Sequence, residues 1–216
     1  MRDIFKNIFG TNNLKKVAKV IEKKFASNPI AIRLVFEGED LRGEIHPMSR
    51  ICAAIDRAKN DSFILPCSSL TCPIAKFVLT GEGKEEAAER LFKEKLVSSE
   101  KAAKDLINSI PHFKGNIIGL QLSPLKKAKF KPDVLVFILN PRDAMKLAQT
   151  LAYNGKLIRA EFSGITAACG EIIAMPIKEK RPNLSLGCKG SRKFLKDSEL
   201  LFSVPYTLIS HLLEGD

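Results

Sequence analysis

The sequence predicts a mixed α/β protein in which two similar strand–helix–strand halves surround one central site. Three observations predict it. Apolar residues follow helical spacing in some stretches and strand spacing in others along the whole chain. The 216 residues, 45% hydrophobic and 27% charged, are enough for one sizeable core. A series of strand, Pro-started helix, strand and polar turn occurs twice, and each series reaches a cysteine soon afterwards. The expected boundaries are an N-terminal helical segment over 1–28 and a single domain over 29–216, with an internal duplication over 29–80 and 132–190 about a pseudo-twofold axis.

Asn12 to Ala26 places Leu14, Val17, Ile21 and Phe25 at helical spacing among lysines, with Thr11 or Asn12 as the cap. Ser27-Asn28-Pro29 breaks this helix and IAIRLVF follows as a strand. Pro47 suits the first turn of the next helix, MSRICAAIDRAK, which Asn60-Asp61 ends before the strand SFILP. KEEAAERLFKEKL and SEKAAKDLINSI read as charged packing helices, the second capped by Ser98 or Ser99. NIIGLQLSP and DVLVFIL are strands joined by the basic loop LKKAKFKP. Asn140-Pro141-Arg142-Asp143 is the clearest helix start in the chain: Asn caps, Pro fits the first position, and Asp143 faces the positive end of the dipole. Asn154-Gly155 closes that helix, KLIRAEF is the next expected strand, and PYTLISHLLEG ends the chain as a short helix. In the duplication, Ser68-Ser69-Leu70-Thr71 matches Ser163-Gly164-Ile165-Thr166, which pairs Cys72 with Cys169.

Thirty-five Lys and Arg against 24 Asp and Glu leave a net charge of +11, which favours anionic partners or a lysine-rich solvated surface. Lys126, Lys127, Lys129 and Lys131 interleave with Phe130, and Lys178, Lys180 and Arg181 form a second basic cluster. With no tryptophan and two tyrosines, nucleic acid is not the expected partner. MRDIFKNIFG is interrupted by Asp3 and Lys6, and the longest apolar run, Val134 to Leu139, falls short of the ~20 residues a membrane helix needs. A cytoplasmic protein that makes no membrane contact is expected, with homo-oligomerisation left open. In a reducing compartment Cys52, Cys67, Cys72, Cys169 and Cys188 are not a disulfide framework.

Within PNLSLGCKGSRKF, Gly187 and Gly190 flank Cys188, with Lys189, Ser191 and Arg192 beside it. Such a turn can aim amides inward, lower a thiol's pKa or hold an anion. It does not match the phosphate-loop pattern. The four-residue gap between Cys67 and Cys72, with Pro73 after it, occurs in iron–sulfur proteins, and zinc competes for the same thiolates. The three histidines form no nucleophile–base pattern.

These segments together resemble an uncharacterised prokaryotic family, domain of unknown function one-six-nine. The resemblance runs from about Pro29 to Leu213. It rests on PIAIRLV, Arg50-Ile51-Cys52, Ser69-Leu70-Thr71-Cys72-Pro73, KPDVLVFILNPRDAMKLAQTL, Phe162-Ser163-Gly164 through Cys169, and PNLSLGCKGSRKF. It implies Cys52, Cys72, Cys169 and Cys188 as the sulfur set, without Cys67. Four sulfurs suit a 4Fe–4S cluster, with zinc as the alternative metal. Arg50 and Arg192 would offset its charge or hold an anionic small molecule.

The expected function is cysteine-ligated metal binding in a redox, sensing or electron-transfer role, with a redox partner; whether it is an enzyme is left open. The alternative is a metal-free anion-binding module using the Gly187–Arg192 loop, and the third reading is a basic nucleic-acid-associated protein.

Overall fold

A computed structural model describes residues 13–39 and 43–213. Its centre is one antiparallel sheet in the order β2-β3-β1-β4-β6-β5. The strands are β1 (Ile30–Phe36), β2 (Phe63–Pro66), β3 (Ile117–Pro124), β4 (Val134–Leu139), β5 (Asn183–Ser185) and β6 (Leu200–Pro205). Apolar residues occupy both faces of the central strands. Ile30, Ile32, Leu34, Val134 and Val136 enter one core, while Ala31, Leu135, Phe137 and Leu139 enter the other. That is the period-two pattern of strands covered on both sides.

One face carries α1 (Leu14–Phe25), α6 (Pro141–Tyr153) and α8 (Ser210–Leu213). Leu14, Val17, Ile21 and Phe25 of α1 are buried there, so the N-terminal helix shares the domain's second core. Thr11 and Asn12, expected as its cap, lie outside the described residues. The other face carries α2 (Ile51–Arg57), α3 (Pro73–Thr80), α4 (Lys84–Lys93), α5 (Glu100–Ser109), a fully buried π-helix (Ala167–Ala174) and α7 (Met175–Glu179). Ser99 caps α5 by accepting from the Ala102 amide at 3.1 Å, and Asn140 caps α6 by accepting from Asp143 at 2.9 Å. Among the described residues no helix is long and apolar enough to cross a membrane.

Two expectations need correction, and one helix is additional. Pro47 does not start α2, because the chain before Ile51 is tied to the turn after β2: Met48 N–H donates to Ser69 Oγ, and Ser49 O accepts from Thr71 and Cys72. Helix α3, with Pro73 at its first position, follows Cys72 directly and was not anticipated. KLIRAEF forms no strand: Glu161 bonds to the side chain of Asn183, and the Arg159 carbonyl bonds to the Arg181 guanidinium, so no backbone ladder forms.

The sheet nevertheless divides into two corresponding halves at the β1–β4 pair. Ile30↔Val136, Ala31↔Leu135 and Ile32↔Val134 read the same in either direction. Ile30↔Pro124 corresponds to Val134↔Pro205, and Phe63↔Leu122 to Asn183↔Ser203. Leu125 N–H donates to Pro29 O at 2.8 Å where Tyr206 N–H donates to Asp133 O at 2.9 Å. A 3-10 turn follows each, Leu125–Lys127 and Tyr206–Leu208. This correspondence replaces the expected Cys72–Cys169 pairing. Cys52 and Cys169 lie on the helical segments before the edge strands β2 and β5, and Cys72 and Cys188 in the chain just after them.

Candidate functional site

Four distant segments bring their cysteines to one cavity of about 320 Å³. Cys52, Cys72, Cys169 and Cys188 all line it. Cys52 is the second residue of α2, Cys72 the N-cap of α3, and Cys169 lies in the first turn of the π-helix. Cys188 follows β5 and accepts the Arg192 amide on its carbonyl at 2.9 Å. All five cysteines are free thiols, and three of the cavity set are partly exposed while Cys169 is buried. Cys67 is buried beside the turn after β2 and does not line the cavity.

The thiols influence one another. Burial pushes the Cys52 thiol up from its ordinary pKa, and the nearby Cys188 sulfur pushes it further, opposed by the Ala53 amide and Arg50. Cys169 is pushed well above its ordinary pKa by burial, then by Cys72 and Cys188, against the Gly170 amide. In the metal-free chain burial therefore holds Cys52 and Cys169 as neutral thiols at neutral pH. The protonated Cys169 thiol donates to Thr166 O at 3.7 Å.

The Gly187–Arg192 loop works differently from expectation. Gly187 adopts φ +97, and a Cβ there would lie 2.5 Å from Arg192 Cδ, so only glycine fits. Ser191 Oγ accepts from Cys188 N–H at 2.7 Å and lies 3.4 Å from Cys188 Sγ. Arg192 donates to the carbonyls of Glu199 at 2.6 Å and Lys196 at 2.8 Å, and it pairs with Asp197. It thus braces the loop and does not line the cavity; Gly187 and Ser191 are also outside the lining. Lys189, Gly190 and Arg50 do line it. Gly190 has an ordinary backbone, and a Cβ there would sit 3.6 Å from Cys52 Sγ, 3.9 Å from Cys188 Sγ and 3.4 Å from Arg50 Nη1. Its missing side chain keeps open the space between two sulfurs and a guanidinium.

The remaining wall was not foreseen. Arg90 and Glu94 pair at 3.0 Å across one turn from α4, and Lys193 adds another cation. The Arg90–Glu94 spacing is visible in the sequence; the face it turns to the cavity is not. Gly164 and Ile165 also line the cavity, on a segment held by buried Glu171. That carboxylate accepts from Ser163 N–H at 2.8 Å, Ser163 Oγ at 2.9 Å, Thr166 Oγ1 and Ser185 Oγ. Ser185 in turn receives the Gly187 amide at 3.1 Å, so one carboxylate ties the Cys169 segment to the Cys188 loop. Among the described residues, no three or more His, Cys, Asp or Glu side chains are gathered closely enough to hold a metal ion.

The larger cavity, about 970 Å³, lies at the β2–β3 edge, where Lys126, Lys127 and Lys129 meet Lys15 and Lys19 of α1, with Glu22 as the acidic residue. In the second basic cluster, Arg181 is held by Glu179 and Glu161.

The chain is thus a mixed α/β protein built on a six-stranded antiparallel sheet, with four cysteines lining one cavity. The profile of domain of unknown function one-six-nine, described as uncharacterised ArCR, matches residues 22–215. The chain belongs to that family. It is also 36% identical over 119 residues to the uncharacterized protein MJ0308 of Methanocaldococcus jannaschii, a match covering 54% of this chain and 51% of that protein. The matched stretch thus spans about half the relative's length. No solved structure matches this chain.

Proposed function

We propose that the cavity binds a cysteine-ligated iron–sulfur cluster of the 4Fe–4S type, held by Cys52, Cys72, Cys169 and Cys188, and serves a redox, sensing or electron-transfer role. One observation carries this reading: four cysteines from four separate segments line the same cavity, and the fifth does not. Four thiolates are the ligand number such a cluster takes. Zinc is the alternative metal, since four thiolates suit it as well; iron and zinc content after reconstitution decides between them.

A bound cluster would supply one-electron chemistry, tuned by hydrogen bonds to its sulfurs and by nearby charge. The chain offers both: Ser191 Oγ beside Cys188, the Ala53 and Gly170 amides beside Cys52 and Cys169, and the guanidinium of Arg50. Partial exposure of Cys52, Cys72 and Cys188 would leave the cluster near the surface, as exchange with a redox partner requires. Free thiols suit a reducing compartment such as the cytoplasm. The test is anaerobic reconstitution with ferrous iron and sulfide. Brown protein with iron and acid-labile sulfide in near-equal amounts is expected; a folded chain that stays colourless and metal-free would overturn the reading.

A second reading, polyanion binding, is favoured by the five lysines around the larger cavity. It requires that affinity for an oligonucleotide fall steeply with salt and that Lys126→Gln with Lys129→Gln weaken it. A flat salt response would remove it.

A further inference from the structure

We infer that the four-cysteine cavity also contains a subsite for one small monoanionic oxyanion, a carboxylate or a phosphate, centred on Arg50. This rests on the cluster reading and names the ligand class of the same site. Charge is the first argument. Arg50, Arg90, Lys189 and Lys193 line the cavity against a single carboxylate, Glu94, leaving an excess of three positive charges. A cubane core of the usual oxidation state with four thiolates carries about two negative charges. Roughly one positive charge stays uncompensated, enough for one monoanion.

Pairing shows where that charge lies. Arg90 is held by Glu94 at 3.0 Å, and Lys189 reaches the same carboxylate at 4.0 Å. Arg50 and Lys193 have no carboxylate partner among the described residues. Arg50 is half-buried, and its Nη1 lies 3.4 Å from the point a Gly190 Cβ would fill, next to the Cys52 and Cys188 sulfurs. A planar guanidinium with free donors binds carboxylate or phosphate through paired hydrogen bonds. Size is the third argument. About 320 Å³ is at the small end for ligand pockets, and a cluster would share it, so a nucleotide is excluded.

The experiment uses the full chain, reconstituted anaerobically and kept in the oxidised state to which the charge count applies, with the visible circular dichroism signal of the cluster and calorimetry as readouts. Probes are acetate, pyruvate and inorganic phosphate, with ATP as the oversized anion; the first two against the third separate carboxylate from phosphate. At least one small probe should bind and shift the signal, ATP should not, and Arg50→Gln should weaken binding by about tenfold or more. Lys193→Gln, at an exposed position, gives a milder loss and guards against misfolding of the first variant, with iron content measured for each. No response to any small probe, preferential ATP binding, or equal affinity in both variants would overturn the subsite. If the chain takes up no iron, calorimetry on the metal-free protein separates the two ideas. Anion binding that depends on Arg50 would then support the subsite while the cluster falls, and absence of binding would sink both.

Discussion

The two halves of the sheet share strand order, register and closing turn, yet they deliver their cysteines by different routes. In the first half the chain leaves β2 through the 3-10 turn Cys67–Ser69 and reaches Cys72 at the cap of α3. In the second half it leaves β5 through Gly187, in the left-handed region, and reaches Cys188 at once. The helical partners differ as well: Cys52 starts a short α-helix, whereas Cys169 sits in a buried π-helix whose wider turn is a common mark of functional sites. A shared sheet can therefore fix where four segments end, while each connection independently aims its sulfur. What the halves hold in common is the position of the thiols relative to the edge strands.

The strongest way to break this comparison is to remove thiols in corresponding pairs. Cys52→Ala and Cys169→Ala should each abolish most iron uptake on anaerobic reconstitution, and so should Cys72→Ala and Cys188→Ala. Iron and acid-labile sulfide per chain are the measurement. Normal loading after loss of any one of the four would remove that residue from the ligand set.

The two glycines beside Cys188 sharpen the comparison next. Gly190→Ala adopts an allowed backbone and makes only ordinary contacts, so the melting temperature should move by no more than about 2 °C. Its methyl group would occupy space between Cys52 and Cys188, so iron loading should fall several-fold. Gly187→Ala should do the reverse. It should cost about 1–3 kcal/mol of stability, read by urea denaturation, because its Cβ meets Arg192 at φ +97. Equal effects on both readouts would show that the loop has no separate spatial and conformational roles.

Proton release provides a gentler probe. Burial raises both Cys52 and Cys169, so both are protonated at neutral pH in the metal-free chain and must lose protons on ligation. The initial rate of reconstitution should climb as pH rises from about 7 to 8.5, by up to about tenfold per unit where a single thiolate limits it. Arg50→Gln should slow it further, since Arg50 lowers the Cys52 pKa. A rate independent of pH would mean that these thiols are not ligated.

Much of this arrangement was legible in the residues. Short, nearly continuous apolar runs in IAIRLVF and VLVFIL fix the central strands, and the Asn140–Asp143 start fixes α6, because both signals are local and strong. KLIRAEF carries a strand-like pattern too, but side chains of Asn183 and Arg181, distant in sequence, take its backbone groups. The place of Arg192 is hidden for a similar reason: its neighbours suggest a cavity, whereas the carbonyls it braces belong to Lys196 and Glu199. Which cysteines correspond depends on strand pairing, and four similar letters near Cys72 and Cys169 could not reveal it. Arg90 and Glu94 look like a solvated helix pair until α4 is docked.

Cys67 supplies the comparison's internal control, and its effect on iron should be nil. Burial raises its thiol from 9.0 to about 11, so the folded state favours the protonated form. The resulting stability, about 2–3 kcal/mol, is fully present below pH 9 and is lost as pH rises through 11. Cys67→Ala should remove that alkaline loss at a pH-independent cost of about 1 kcal/mol for the lost sulfur. In the metal-free chain Cys52 and Cys169, also raised, add to the same alkaline limb, whereas ligated thiols cannot titrate. Tyr206 is raised by burial in both states and cancels between them. Denaturation of the Cys67→Ala variant between pH 8 and 11, with and without bound iron, therefore reads ligation directly. A shallower alkaline limb in the loaded protein is the expected outcome; identical limbs would place Cys52 and Cys169 outside the metal's reach, whatever the colour of the preparation.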